Sequence, residues 1–510
     1  MFVAIRTDSA EHIGSGHVMR CLALGQALHA QSAEVLFICR EYPGHLCSLI
    51  EQRGFPVKRL LASPGDRQPD WQADAAETRS AINGSRNRKA DWLVVDNYFF
   101  DWRWEGAIRT ATGRLLAIDD LSDRRHDCDL LLDQNLVADM RERYRNLVPD
   151  ACLQLIGPKY ALLQPEYASL RTRLKLREGV IRRVLIFLGA VDSANVTARV
   201  IDAFISLERP DIQVDVVLGA SNRQSDSIRL KAEGHTNIKV HPWLASLAPL
   251  MAEADLAIGA GGATHWERMC LGLPCLVVTL SHNQRAISKE LDRLGYIRLL
   301  GHHDEVTCGP IAQALEELIE QPLSEQWSQR CMALLDGRGA NIVATAMTLT
   351  DSTPLRIRSA TAKDESLLLD WANDPVTREN AFSTTAIPEQ VHSRWLHDVL
   401  GAPSRHRLYV LETVQGIELG QVRFDAAGEL WEIDYSVAPE FRRRGLGLRL
   451  LEAALPRFAD DVRSAHVSAL VKYGNIASRK VFDCLGFDAR NEWHQGHEII
   501  RYSKSLQAVH

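Results

Sequence analysis

The chain has 510 residues, 46% hydrophobic and 24% charged, with a net charge of -6 and ten cysteines. Such a length predicts roughly two to four domains, each able to bury a full core, and the mildly acidic balance excludes a general footprint for nucleic acid or anionic membrane. The cysteines form no C-x-x-C pairs, which excludes a zinc knuckle and a disulfide framework.

The first apolar run, Met1 to Ile5, predicts a strand and leads into Ile13-Gly14-Ser15-Gly16-His17-Val18-Met19-Arg20. Leu22, Leu24, Ala27 and Leu28 then predict a helix. Glycines at a strand-to-helix turn bring backbone N–H groups and the positive end of a helix dipole close to a ligand, so an anion such as a phosphate is expected there. His17 would lie beside whatever that phosphate carries, and histidine suits proton transfer near neutral pH. The plainer reading is a turn with a solvent-facing histidine. Arg6 and Asp8 interrupt any signal-peptide pattern. The longest nearly apolar stretch, Met269 to Leu280, is too short for a membrane span, so a cytoplasmic location is expected.

Further strands are predicted at Val35–Ile38, Trp92–Asp96, Leu115–Asp119 and Leu130–Leu132. After Pro165 the pattern restarts with Arg183–Leu188, Val214–Leu218, Leu256–Ile258 and Cys275–Val278. Apolar strands spaced by helices signal buried parallel sheets. The expected class is therefore α/β, with two Rossmann-like halves at 1–160 and 161–349. Asp119-Asp120 reads either as a metal carboxylate pair or as a strand-end pair bonded to its own loop, and no metal is needed. Gly189 opens a turn after one strand of the second half. Gly261, Gly262, Thr264 and Glu267 form another, where Glu267 reads either as a ligand for vicinal hydroxyls or as a capping-box carboxylate paired with Thr264.

Thr350 to Pro354 predicts a joint, and 354–510 forms a separate domain. There a strand, Glu432–Val437, precedes Arg442-Arg443-Arg444-Gly445-Leu446-Gly447 at a helix entry. The R-x-x-G-x-G pattern would cradle a pyrophosphate, although three arginines also suit a solvated face. Asn475, Ser478 and Leu485-Gly486-Phe487 follow.

Residues 1–349 resemble the UDP-sugar hydrolases of the pseudaminic acid pathway, relatives of the two-domain GT-B glycosyltransferases. The resemblance rests on Arg6 to Ser9, Ile13 to His17, Val95 to Tyr98, Ile118 to Leu121, His126 to Asn135, Gly157 to Leu163, Gly261 to Glu267 and Asn283-Gln284. It departs at Asn97, Ala190 and Ser193. It implies His17 as the catalytic base, with Gly14, Ser15, Gly16, Arg20, Gly189, Gly261, Gly262, Thr264, Glu267, Asn283 and Gln284 holding the UDP-sugar and no cofactor for hydrolysis. Since UDP is already a good leaving group, one base suffices, where glycosidases need two carboxylates. The last segment resembles GNAT-fold N-acetyltransferases, those acting on UDP-amino sugars included. This implies acetyl-CoA as co-substrate, bound by Val437, Arg442, Arg443, Arg444, Gly445, Leu446, Gly447, Asn475 and Ser478, and a substrate side formed by Trp371 to Pro375, Arg378, His392 and Trp395. Members often carry a tyrosine as thiolate acid where Phe482 stands, leaving Tyr473, Ser478 or water. Glu432 and Asp434 remain unranked as amine bases. Two other readings stay open: a glycosyltransferase acting on an acceptor alcohol, and a C-terminal domain that only binds its ligand.

Overall fold

Phe2, Val3, Ala4 and Ile5 are all buried, as are Leu93, Val94 and Val95. Consecutive residues of a strand point to opposite sides, so burial on both requires helices above and below the sheet. The computed structural model describes every residue except Pro64, Asp66, Arg67, Asn87, Arg141, Ala220, Arg463 and 508–510. Residues Met1–Thr348 form one compact unit and Leu349–His510 a second.

The first unit holds two parallel sheets. β1 (Phe2–Thr7), β2 (Glu34–Arg40), β3 (Val57–Leu60), β4 (Ala90–Asp96), β5 (Thr112–Ile118), β6 (Leu130–Asp133) and β7 (Leu153–Ile156) run in the order β3-β2-β1-β4-β5-β6-β7. Strand order reverses between β1 and β4, whose ends align Thr7 with Asp96. The second sheet, from β8 (Arg183–Phe187), β9 (Gln213–Val217), β10 (Ile238–His241), β11 (Leu256–Ala260), β12 (Cys275–Thr279) and β13 (Arg298–His302), runs β10-β9-β8-β11-β12-β13 and reverses between β8 and β11. Ligands of open parallel sheets bind beyond the carboxyl ends of the strands at such reversals. The turns at Gly14 and at Gly189 and Gly261 follow those strands.

The chain then returns to the first half. The helix Gly339–Thr348 packs along the helix Gly16–Ala30, and Trp92 Nε1 donates to the Met347 carbonyl at 3.0 Å. Gln31 Nε2 donates to Thr345 Oγ1 at 3.1 Å. At the start of the returning helix a Cβ on Gly339 would meet the Ala161 carbonyl oxygen at 2.4 Å, so only glycine seats it there.

The second unit is a mixed sheet: β14 (Leu355–Ser359), β15 (His406–Thr413), β16 (Glu418–Ala427), β17 (Leu430–Val437), β18 (Ser464–Lys472), β19 (Asp488–His494) and β20 (His497–Gln507), ordered β14-β15-β16-β17-β18-β20-β19. All neighbours are antiparallel except β17 and β18. Those two pair only at Leu430–Glu432 with His466–Ser468, and beyond that point they part. Among the described residues no helix is long and apolar enough to cross a membrane.

Candidate functional site

The first site grows from the turn after β1. Gly14 adopts φ +86°, with open space where a Cβ would stand, and its N–H donates to the Ala10 carbonyl at 2.8 Å. The left-handed backbone, not crowding, calls for glycine there. Gly16 likewise faces open space. Ser15 precedes the helix Gly16–Ala30 without capping it through its side chain, so the helix start keeps N–H groups for another partner.

His17, 7% exposed, is the second residue of that helix. Its Nδ1 lies 2.6 Å from Oδ1 of Asp96 at the end of β4. A carboxylate only accepts, so Nδ1 carries the hydrogen and Nε2 the lone pair. Burial alone would push the Asp96 carboxyl up, but Arg20 and His17 outweigh it and hold the group well below the usual carboxylate range. Sequence reasoning places Asp96 at the end of an apolar strand and within the Val95 to Tyr98 segment of the resemblance, but does not assign it as the partner of His17.

Arg20, expected to touch the nucleotide, has its guanidinium within the protein. Nε and Nη2 donate to the two oxygens of Asp96, each at 2.7 Å, and Nη1 donates to Asp120 at 2.8 and 2.9 Å. The buried Asp96 and half-buried Asp120 carboxylates require a countercharge, and Arg20 supplies it. The Tyr98 hydroxyl donates to Asp120 at 2.8 Å, and its ring stands edge-on to His17 at 4.5 Å. Asp119 accepts from the N–H groups of Leu121 and Ser122 at 3.2 and 2.7 Å, as the loop-bonding reading expects. No group of three or more His, Cys, Asp or Glu among the described residues could hold a metal ion.

In the second half the turn at Gly189 faces open space. The helix that follows, Val196–Ser206, is closed by the chain itself. Asp192 accepts from the N–H groups of Val196 and Thr197, both at 2.9 Å, and from Thr197 Oγ1 at 2.6 Å. A cavity of about 670 Å³ lies between the two halves, with Glu11, His12 and Pro43 on one side and Val191, Ser193 and Arg223 on the other. Arg223 reaches Glu11 across it at 2.7 Å. His17 and the Gly261 turn are not among its lining residues.

The Gly261 turn packs on the helix Asn283–Arg293. A Cβ on Gly261 would meet Ser288 Oγ at 2.6 Å and Gln284 Cβ at 3.1 Å, and one on Gly262 would lie 3.7 Å from Gln284 Nε2. The Gly261–Gly262 turn and Gln284 are therefore neighbours. Gln284 accepts from the Leu280 N–H at 2.8 Å, and Asn283 accepts from Ser281 Oγ at 2.6 Å. The capping-box reading is corrected. Thr264 is the first residue of the helix Thr264–Cys270, Ala263 is its N-cap, and no side chain caps it. Thr264 Oγ1 instead accepts from Arg268 at 3.1 Å. Glu267 accepts a hydrogen bond from the Tyr167 hydroxyl instead of capping the helix. Burial pushes its carboxyl up to about 7, against the opposing pull of Tyr167 and Arg268.

In the second unit Arg443 at φ +62° and Gly445 at φ +69° form a left-handed turn into the helix Leu446–Val462, with open space at Gly445. Arg443 is exposed, Arg444 half-buried and Leu446 buried in the core. Arg442, expected on the pyrophosphate, bridges to Asp374 at 2.6 Å, to Thr377 Oγ1 at 2.9 Å and to the Val437 carbonyl at 3.1 Å. It ties the turn to the helix Pro375–Asn380. Gly447 has another role: a Cβ there would meet Tyr435 Cε2 at 3.2 Å. Asn475 caps the helix Ile476–Cys484, accepting from the Ser478 N–H at 3.1 Å. Beyond Glu432, none of the described residues pairs with β17 on its β18 side, so backbone groups of Asp434 to Val437 can pair with an extended amide-bearing ligand.

Comparison with known proteins follows this division. Residues 354–488 match the acetyltransferase (GNAT) domain family, and residues 183–337 match the glycosyltransferase family 28 C-terminal domain. The chain is a fusion of a GT-B-like unit with a GNAT acetyltransferase domain. The GT-B-like unit is 26% identical over 300 residues to the UDP-2,4-diacetamido-2,4,6-trideoxy-beta-L-altropyranose hydrolase of Campylobacter jejuni, covering 58% of this chain and 98% of that protein. It is 28% identical over 344 residues to the spore coat polysaccharide biosynthesis protein SpsG of Bacillus subtilis, covering 66% and 95%. Among solved structures, Acinetobacter baumannii MurG aligns with 16% identity and a TM-score of 0.47, over 68% of this chain and 99% of its own.

In the GNAT domain, Glu432 and Asp434 point to one face of β17 and Tyr435 to the other, by strand alternation. Asp434, 60% exposed at its side chain, lies 3.7 Å from Arg423, whose guanidinium covers the Trp395 ring. Phe482 is buried among Tyr435, Phe487 and Tyr502. His392 is buried against Trp395, with neither ring nitrogen hydrogen-bonded.

Proposed function

We propose that the GT-B-like unit hydrolyses a UDP-linked 2,4-diacetamido-2,4,6-trideoxy sugar to free sugar and UDP. The GNAT domain, using acetyl-CoA, would acetylate the 4-amino group of the UDP-sugar that precedes it in the making of a nonulosonic acid such as pseudaminic acid. The observation that carries this reading is the 2.6 Å contact of His17 with Asp96 at the sheet's reversal, with the helix Gly16–Ala30 uncapped beside it. The activity for which the Campylobacter relative is named supports it.

In this mechanism the backbone of Gly14 to Gly16 and the Gly261–Gly262 turn receive the diphosphate, and Glu267 accepts from the ribose hydroxyls. Water attacks the anomeric carbon while His17 Nε2 takes its proton. The bond from that carbon to the phosphate oxygen breaks, and UDP keeps the oxygen. Asp96 holds the imidazole in the tautomer with Nε2 free, then stabilises the imidazolium. A positioned base of this kind contributes about 10²–10⁴-fold. The deciding experiment is turnover of the diacetamido UDP-sugar in ¹⁸O-water. Label is expected in the sugar and not in UDP, and label in the UDP phosphate, or sugar transfer to an added alcohol in place of water, would overturn the reading.

A further inference from the structure

We propose that Ser478 donates the proton that the CoA thiolate needs as it leaves, and that Tyr435 is the positioning residue that orients Ser478 and replaces its proton. This rests on the acetyl-transfer reading of the GNAT domain but not on the identity of the acceptor amine.

The geometry is specific. The Tyr435 hydroxyl donates to Ser478 Oγ at 3.0 Å. With its lone pair taken, Ser478 has its own hydrogen to give onward. Tyr435 lies on β17 past Glu432, where that strand has parted from β18, and Ser478 lies in the first turn of the helix that follows β18. The pair therefore joins the two sides of the gap in which the amide-bearing arm of an acyl-CoA can pair with backbone. Gly447 belongs to the same device. A Cβ there would stand 3.2 Å from Tyr435 Cε2 and 3.5 Å from its hydroxyl, so the second glycine of R-x-x-G-x-G makes room for this tyrosine. Burial raises the Tyr435 phenol above its ordinary range, which keeps it protonated. The alternatives are badly placed. Phe482 has no proton to give, and Tyr473 is exposed with its ring under Arg479 at 4.5 Å.

The step balances. The amine nitrogen bonds to the thioester carbonyl carbon, and the carbon–sulfur bond breaks with its electron pair on sulfur. Ser478 gives its proton to sulfur and takes one from Tyr435. The phenolate regains a proton through solvent, equal to the one lost by the amine.

The test uses the full chain loaded with CoA, reading the thiolate by ultraviolet difference absorbance against pH. A donor beside sulfur stabilises the anion. The bound thiol should thus titrate about one pH unit lower in wild type than in Ser478→Ala, with Tyr435→Phe between them. In acetyl transfer to the UDP-4-amino sugar, Tyr435→Phe should lose about 10²-fold in kcat at unchanged KM for acetyl-CoA. The pair Tyr435→Phe with Phe482→Tyr, which returns a hydroxyl one helical turn from Ser478, should recover most of that loss. Identical thiol titrations in wild type and Ser478→Ala would overturn the proposal, as would a full rate in a folded Tyr435→Phe. Should wild type fail to use the amino sugar, the acceptor reading fails, while the thiol titration still decides this one.

Discussion

Asparagine at position 96 would keep the shape of the carboxylate but could donate to Nδ1 of His17, favouring the tautomer with Nε2 protonated. Asp96→Asn should therefore lower UDP release by about 10²–10⁴-fold while calorimetry shows UDP still bound. His17→Asn should do the same, and a His17 variant that keeps more than about a tenth of the wild-type rate would remove the histidine from the mechanism. At Glu267 the consequence is a pH dependence. Its folded carboxyl titrates near 7 because of burial, above the ordinary 4.5. The folded chain thus holds that proton more tightly than the unfolded one, so stability falls as pH rises from about 4.5 to 7, and the full cost is present above 7. Glu267→Gln should melt higher than wild type at pH 8 and equally near pH 4. If the ionised form accepts from ribose, wild-type UDP affinity should rise through pH 7 and the glutamine variant should show no such rise. A pH-independent wild type would dismiss the ribose role.

At the level of elements, the strands that could be read in advance are those buried on both sides. Val35–Ile38 and Cys275–Val278 are unbroken apolar runs, and each falls in a strand. β3, with Lys58 and Arg59, and β10, with Lys239, were not legible because edge strands need bury only part of their residues. In the second unit β16 alternates polar with apolar residues, as in Gln421-Val422-Arg423-Phe424, so it lacks a continuous run. The glycine turns were legible because Gly14 and Gly445 satisfy a local backbone need. The pairing of Asp96 with His17 was not, since the two lie 79 residues apart and only the sheet brings them together. The same holds for Arg20 and Arg442: a sequence shows a cation but not the carboxylate that already holds it. Gly339 offers an element-scale test. Backbone atoms of Tyr160 and Ala161 stand 2.4 to 2.6 Å from where its Cβ would be. Gly339→Ala should destabilise the first unit by about 1–3 kcal/mol, seen as a lower melting temperature of residues 1–349, and an unchanged one would show the seat to be soft.

For the whole molecule, two compact units with separate cores predict two separable activities. Residues 1–349 should hydrolyse the diacetamido UDP-sugar without acetyl-CoA, and a folded but inactive fragment would show that the second unit completes the first site. Order of action follows from charge. A free 4-amino group is cationic at neutral pH, and placing it in a site shaped for a neutral amide costs several kcal/mol if unpaired. UDP release from the amino sugar should therefore be slow and should accelerate on adding acetyl-CoA. Equal rates with and without it would overturn both the order and the shared pathway.

The returning helix Gly339–Thr348 also sets a timetable for synthesis. The first sheet is complete once Ile156 has been made, yet Gln31 and Trp92 find their partners only at Thr345 and Met347, more than 250 positions later. A nascent chain leaves the ribosome from its N-terminus at about 5–20 residues per second, so the surface of the helix Gly16–Ala30 waits roughly ten seconds or more for its cover. During that wait the helix carrying His17 packs on β1 and β2 but lacks the returning helix that packs along it. Nascent chains stalled before residue 339 should be sensitive to protease in that half, and those stalled well beyond residue 348 resistant.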